Sequence, residues 1–186
     1  NSNGGISIMS ELRTNRIVPR DGLKSGASGG VIQMAVTQKS DKFTWDSNGD
    51  VAVTGMSVTI TPTRSDSKIL IHVEIGAAGT HESEYPVFWK LYKGGSAVSG
   101  AKGDADGGGS DPVGCATYTK NYAYYCGTGT SFSFLDSPST TSATTYALYG
   151  QRHTSAGIVY FNSAGQDQNE RYPRAISTIT ATEISG

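Results

Sequence analysis

Over most of the chain, apolar residues recur at every second position in short runs that are separated by turn residues. The clearest run spans 68–77, where Ile69, Ile71, Val73 and Ile75 alternate with more polar positions. This period places alternate side chains on opposite faces of a β-strand. The pattern predicts strands at 31–38, 43–45, 51–62, 68–77, 87–93, 116–126, 131–136, 144–151, 157–162 and 175–184.

These runs point to one fold class. None has the period of a helix, and turn signals recur between them. The sequence therefore predicts an all-β fold, an antiparallel β-sandwich of jelly-roll-like type, as a head over residues 31–186. Gly55 lies where the alternation within 51–62 changes phase, so a β-bulge is expected there. Within 68–77 one face is fully apolar and the other is mixed. That strand should lie between two packed layers, or between one layer and a neighbouring subunit.

Residues 1–30 form a leader with a different composition. The segment is polar and rich in glycine, and Leu12, Ile17 and Val18 are its large apolar side chains between 11 and 18. Pro19 prevents a helix from continuing through this stretch. The leader is too polar and broken to build a core. We therefore expect an extended attachment and assembly segment that is ordered by other copies of the chain or by a larger particle.

Composition and charge exclude several classes of partner. Lys and Arg total 15 against 16 Asp and Glu, and the 186-residue chain has no basic block that would bind nucleic acid. It also has no apolar run long enough for membrane insertion. At this length a chain buries roughly 70% of its unfolded surface, so it needs no metal or disulfide in order to fold. No cofactor is expected.

The two cysteines leave two alternatives open. Cys115 and Cys126 are eleven positions apart, which suits a disulfide between neighbouring strands of a hairpin. Two free, partly buried thiols fit equally well. A zinc site is not expected, because the sequence has no second pair of thiols.

No catalytic residues are expected. Ser28 lies in a GASGG segment that superficially resembles a serine-protease motif, but an alanine replaces the usual acid. The histidines, His72, His81 and His153, have no accompanying motif. His72 interrupts an apolar strand, which is typical of a hydrogen-bonded histidine in the core or at a subunit contact.

Carboxylates could serve as metal ligands or in glycoside cleavage. Asp104 and Asp106 precede a glycine, as calcium ligands do, but the remaining ligands of such a loop are absent. His81, Glu82 and Glu84 occupy one short turn, so both groups are more simply solvated loops. A divalent ion shared by several copies of the chain on a symmetry axis stays open. Cleavage of glycosides would require two carboxylates at a defined separation. The candidate carboxylates are Glu74, Glu82, Glu84 and Asp136. The sequence does not show that any two of them lie at that separation.

The strongest candidate for ligand recognition is a cluster of tyrosines, Tyr118, Tyr122, Tyr124 and Tyr125. Tyrosine combines a flat apolar ring with a polar edge, which suits sugar rings and protein loops. The alternative is that these rings fill the sandwich. We expect the cluster to form a recognition surface together with loop 100–114, which contains Asp104 and Asp106.

Several segments carry a resemblance to a known group of proteins. They are SELRTNRIVPRDG, GASGGVIQ, VTGMSVTITPTRSDSKILI, FWKLYKGGSAVSG, FSFLDSPSTTSATTYAL and ISTITATEISG, in this order. With them the chain from Met9 to Gly186 resembles phage tail-fibre and virion-associated proteins, especially those of marine and cyanobacterial phages. Such proteins often begin at a methionine like Met9, so further sequence upstream is an open question.

The resemblance implies a function as well as a fold. It implies a homotrimeric fibre or appendage of the virion, with a short N-terminal attachment segment and a β-sandwich head. We expect the leader to contact other virion proteins and the head to bind a saccharide or protein on the host surface. The alternative is a decoration or collar protein with a purely structural role.

Overall fold

The computed structural model describes residues 30–81, 85–103, 114–121, 123, 125–153, 157–165 and 172–186. Within these ranges most residues lie in strands and helix is nearly absent. Every predicted run contains a strand, although the strand within 116–126 ends at Lys120. The eleven described strands are β1 (Val31–Lys39), β2 (Phe43–Trp45), β3 (Val51–Ile60), β4 (Lys68–Thr80), β5 (Pro86–Lys93), β6 (Ser96–Ala97), β7 (Thr117–Lys120), β8 (Thr128–Asp136), β9 (Thr144–Arg152), β10 (Val159–Phe161) and β11 (Ser177–Ile184).

The strands form two antiparallel sheets, which confirms the predicted β-sandwich. Sheet 1 has the order β1-β11-β4-β10-β2, and β8 pairs with the other edge of β4. Sheet 2 has the order β3-β9-β5-β6, and β7 also pairs with β5. The long strand β4 and the pair β5–β9 therefore form the centres of the two layers.

The core lies between the sheets and is built by the inward half of each alternation. Trp89 of β5 is fully buried, and its ring centroid lies 6.0 Å from that of Trp45 and 5.6 Å from that of Phe161. Gly150 of β9 faces these rings, and a Cβ atom there would lie 2.6 Å from Trp45 Cζ2. The other large buried apolar side chains are Val53, Met56, Val58, Ile60, Ile69, Ile71, Val73, Ile75, Val87, Leu91, Tyr146, Leu148, Val159 and Ile179.

The predicted bulge at Gly55 is confirmed. Gly55 has a φ of 84°, and the pairing of β3 with β9 shifts register between Ala52 and Ser57. A positive φ is accessible to glycine at little cost because it has no Cβ atom. Between β5 and loop 100–114 the chain forms β6, which was not predicted, and a 3-10 turn at Ser99–Ala101 begins the loop stretch.

The described chain begins and ends at the same end of the sandwich. The Ser185 amide donates a hydrogen bond to the Gly30 carbonyl at 2.9 Å. Nearby, the fully buried carboxylate of Glu183 accepts hydrogen bonds from Gln33 Nε2 at 2.6 Å and from the Thr63 amide at 2.7 Å. This network holds β1, β11 and the β3–β4 connection together where the leader joins the head.

The predicted assembly residues of the leader, Leu12, Ile17, Val18 and Pro19, lie outside the described residues, as does Ser28. Their proposed role stays a prediction.

Candidate ligand-binding and assembly surfaces

The outer surface of sheet 2 carries aromatic and polar side chains together. In β5 the inward residues fill the core, so Phe88, Lys90 and Tyr92 point outward. Phe88 lies opposite Tyr118 of β7 on one side and Gln151 of β9 on the other. We call this surface the aromatic face and define it by Phe88, Lys90, Tyr92, Tyr118, Tyr149 and Gln151, together with Asp50.

A polar cluster forms the centre of the aromatic face. Lys90 Nζ lies 2.7 Å from Asp50 Oδ1 and 2.7 Å from Gln151 Oε1. The Tyr92 hydroxyl donates a hydrogen bond to the other oxygen of Asp50, and the Tyr92 and Tyr149 rings stack at 3.7 Å between centroids. These contacts fix each side chain in place, and the opposite charges of Lys90 and Asp50 cancel.

The same contacts favour the protonated form of Tyr92. Burial and the hydrogen bond to Asp50 raise the pKa of Tyr92 to about 12. Its hydroxyl is therefore a proton donor throughout the neutral range.

Part of the outer surface of sheet 1 is aliphatic. Met34 is 64% exposed and Val36 is 53% exposed on β1, and Leu135 is 53% exposed on β8. The strand register places Met34, Thr182, Leu70 and Leu135 in one row across four strands. No residue of this row is charged. We call this surface the aliphatic face and define it by Met34, Val36, Leu70, Leu135, Thr180 and Thr182.

His72 lies on this outer surface, in the row next to the aliphatic one. It is exposed, and its Nδ1 atom lies 2.9 Å from Ser133 Oγ in a hydrogen bond. The prediction that His72 lies in the core is therefore wrong, because His72 is one of the residues of β4 whose side chains point away from the core. A subunit contact at His72 stays a prediction.

The predicted tyrosine cluster is divided between two surfaces. Tyr118 belongs to the aromatic face and is 60% exposed. Tyr125 is also 60% exposed, but it follows β7 and stacks on Tyr172 at 6.2 Å between centroids. Tyr122, Tyr124, Asp104 and Asp106 lie outside the described residues.

Tyr125 lies at what we call the loop end, which comprises the connections β4–β5, β7–β8, β9–β10 and β10–β11. This end is opposite to the one where Gly30 meets Ser185. Tyr85 stacks on His153 there, at 4.7 Å between centroids with an angle of 2°. The His81 ring lies 5.9 Å from that of Tyr160. The loop end is therefore also rich in aromatic rings.

The cysteines are free thiols, so the disulfide that their spacing allowed is not present. The reason is the strand pairing. Cys115 precedes β7 and Cys126 precedes β8, and these two strands pair with different sheets rather than with each other. Burial raises the pKa of the Cys115 thiol, whereas Cys126 is exposed.

The described carboxylates do not assemble into a metal site. The described residues contain no group of three or more His, Cys, Asp or Glu side chains that could hold an ion. Asp136 is held by Lys93 Nζ at 2.8 Å and by the Tyr146 hydroxyl at 2.6 Å. It lines an open depression of about 300 Å³ beside Lys93 and Phe134. Glu74 is exposed on sheet 1, and Glu82 and Glu84 lie outside the described residues.

Comparison with protein families and with curated proteins gives no match to this chain. Among the described residues, no helix is long and apolar enough to cross a membrane.

Proposed function

We propose that the chain is a structural protein of a phage virion, a trimeric tail fibre or appendage whose head binds the host cell surface. One observation supports this proposal best: the two outer faces of the same sandwich differ in chemistry. An uncharged aliphatic row suits burial against another protein, whereas exposed rings beside a polar cluster suit ligand recognition.

The occupant of the aliphatic face in this proposal is a second copy of the chain. Burying an exposed Met, Val or Leu side chain gives roughly 1 kcal/mol or more, so Met34, Val36 and Leu135 provide a driving force for association. Three flat sheet surfaces can meet around a threefold axis, and threonines between the apolar residues allow close approach.

The leader would supply the rest of the assembly contact. Four strands and seven paired residues give a face of roughly 20 Å by 20 Å, which is smaller than the roughly 800 Å² per partner of a standard interface. Gly30 joins the leader directly to β1, the strand that carries Met34 and Val36. Both elements can therefore act in one interface.

The aromatic face would act in adsorption to the host. Three copies of one weak site on a rigid trimer can raise avidity by roughly 10²–10⁴ when the target presents ligands at a matching spacing. A decoration protein would have the aliphatic contact but would not need a ligand surface.

Competition for adsorption separates the two roles. Purified full-length protein, added to host cells before the parent virus, is expected to reduce virus adsorption. Antibodies raised against the protein should label intact virions. If antibodies label the virions but the protein does not reduce adsorption, the decoration role is favoured. If neither effect is seen, the proposed place in the virion is refuted.

A further inference from the structure

The aromatic face offers two kinds of contact side by side. Phe88 and Tyr118 lie directly opposite each other on β5 and β7, and Tyr118 is 60% exposed. Lys90 is two residues from Phe88 on the same face, so the rings and the polar cluster are roughly 7 Å apart along the strand. That distance is close to the width of one sugar ring.

Saccharides match this arrangement chemically. One face of a pyranose ring presents C–H groups that pack on an aromatic ring, and its edge presents hydroxyls that both donate and accept. Asp50 keeps acceptor capacity, because each carboxylate oxygen has two lone pairs and accepts one hydrogen bond here. Gln151 uses its carbonyl oxygen for Lys90, which leaves its NH₂ group to donate.

The geometry points to a new site: we propose that the aromatic face binds a neutral saccharide. Phe88 and Tyr118 stack on one sugar ring, while Asp50 and Gln151 bind hydroxyls of that ring or of its neighbour. This inference rests on the proposed function, since it names the ligand class through which the head would recognise a host surface.

Two features favour a neutral sugar over an anionic ligand or a protein loop. Lys90 is already paired with Asp50 at 2.7 Å, so the centre of the site has no net charge to attract an anion. The hydrogen-bonding groups are held by each other before any ligand binds, which lowers the entropy cost of binding small, rigid rings. A protein partner would require a larger apolar centre than Phe88 and Tyr118 provide.

The test uses full-length protein on an array of neutral oligosaccharides of glucose, galactose, mannose and N-acetylglucosamine, with sialylated and sulfated oligosaccharides for comparison. Calorimetry then measures affinity for the best neutral oligosaccharide. We expect Tyr118→Ala to weaken this binding roughly tenfold, because a stacking partner is lost. Tyr118→Phe keeps the ring and should bind nearly as well as the wild type.

Tyr125→Ala is the matched control, because Tyr125 has the same side chain and the same exposed fraction but lies at the loop end. Tyr125→Ala should bind the oligosaccharide like the wild type. Because the ligand is neutral, 0.5 M NaCl should change the affinity of the wild type little. Failure to bind any neutral oligosaccharide would overturn the inference, as would salt-sensitive binding of acidic ones alone. Loss of binding in Tyr125→Ala but not in Tyr118→Ala would also overturn it. The protein could block virus adsorption and yet bind no saccharide. That result would refute this site but would leave the proposed function in place.

Discussion

The two outer faces of the sandwich differ in how their exposed side chains are held. On the aliphatic face, Met34 and Val36 are more than half exposed. The row of Met34 continues through Thr182, Leu70 and Leu135, and the row of Val36 continues through Thr180, His72 and Ser133. On the aromatic face, Lys90 and Tyr92 are fixed by Asp50 and are partly buried. The aliphatic face would be stabilised mainly by burial against another protein. The aromatic face instead presents fixed polar groups and rings that a ligand can bind.

This contrast shows how a sandwich can divide assembly from recognition. The inward half of each strand is committed to one shared core, so inward substitutions affect both faces. The outward-pointing residues of each strand do not contribute to this core, so their chemistry can differ between the two sheets. Variants at the core, on sheet 1 and on sheet 2 should therefore have separable effects.

The largest expected effect is at Gly150, beneath both faces. A Cβ atom there would lie 2.6 Å from Trp45 and 2.9 Å from Trp89, which belong to opposite sheets. Gly150→Ala should lower the free energy of unfolding by roughly 1–3 kcal/mol, as overpacking does. Urea denaturation measures this. Gly49→Ala is the control, because a Cβ atom at Gly49 has no neighbour within 4 Å. Equal stability of the two variants would contradict the close packing of the sheets.

The next effect concerns sheet 1 alone. Glu183→Gln removes the negative charge from the carboxylate that accepts hydrogen bonds from Gln33 and Thr63. Hydrogen bonds to charged groups contribute about 1.5–3 kcal/mol and those to neutral groups about 0.5–1.5 kcal/mol. Because Gln keeps a neutral acceptor oxygen, the free energy of unfolding should fall by about 1–2 kcal/mol. Denaturation measures stability, and light scattering should show weaker assembly, because β1 loses an anchor. The exposed Glu74→Gln is the control, and a similar loss there would refute a special role for Glu183.

Acid should reproduce this loss. Burial by itself would raise the pKa of Glu183, but the polar groups of Ser67, Gln33 and Thr63 around it outweigh burial and lower the pKa to about 2. Since the folded-state pKa lies below the ordinary value of 4.5, the stabilisation is fully present above about pH 4.5 and is lost as the pH falls toward 2. Denaturation at pH values between 6 and 2 should show a steeper decline for the wild type than for Glu183→Gln. Parallel curves would contradict the assignment.

The smallest effect is expected on the aromatic face. Asp50→Asn should lower the pKa of Tyr92 from about 12 toward 10, although burial, the larger cause, would keep it above 10. Ultraviolet titration of tyrosinate measures this shift. Stability should change by about 1 kcal/mol or less, as for surface ion pairs. The mass of the assembly should not change, and a change in mass would link the two faces that we regard as independent.

The sequence was sufficient for ten of the eleven described strands and for the bulge, because these depend on local alternation and on Gly55. It missed the two-residue strand β6 and extended the run 116–126 past Lys120, where β7 ends. It was not sufficient for the aromatic face. Phe88 and Lys90 lie within the predicted strand 87–93, but their partners on β9 lie about 60 residues later in the chain. Glu183 was missed for the same reason, since its hydrogen-bonding partners Gln33 and Thr63 are 150 and 120 residues away in sequence. Which strands pair is a property of the whole fold, and one sequence does not reveal it.

The central claim is that the aliphatic face holds copies of the chain together. Light scattering on the full-length protein tests it most directly, with Val36→Lys compared with Ser57→Lys, an equally drastic change at an exposed position of sheet 2. The account predicts three times 19.5 kDa for the wild type and for Ser57→Lys, and a single chain for Val36→Lys, because buried lysines would repel one another at the interface. A trimer that is unaffected by Val36→Lys, or a wild type that is already a monomer, would contradict it.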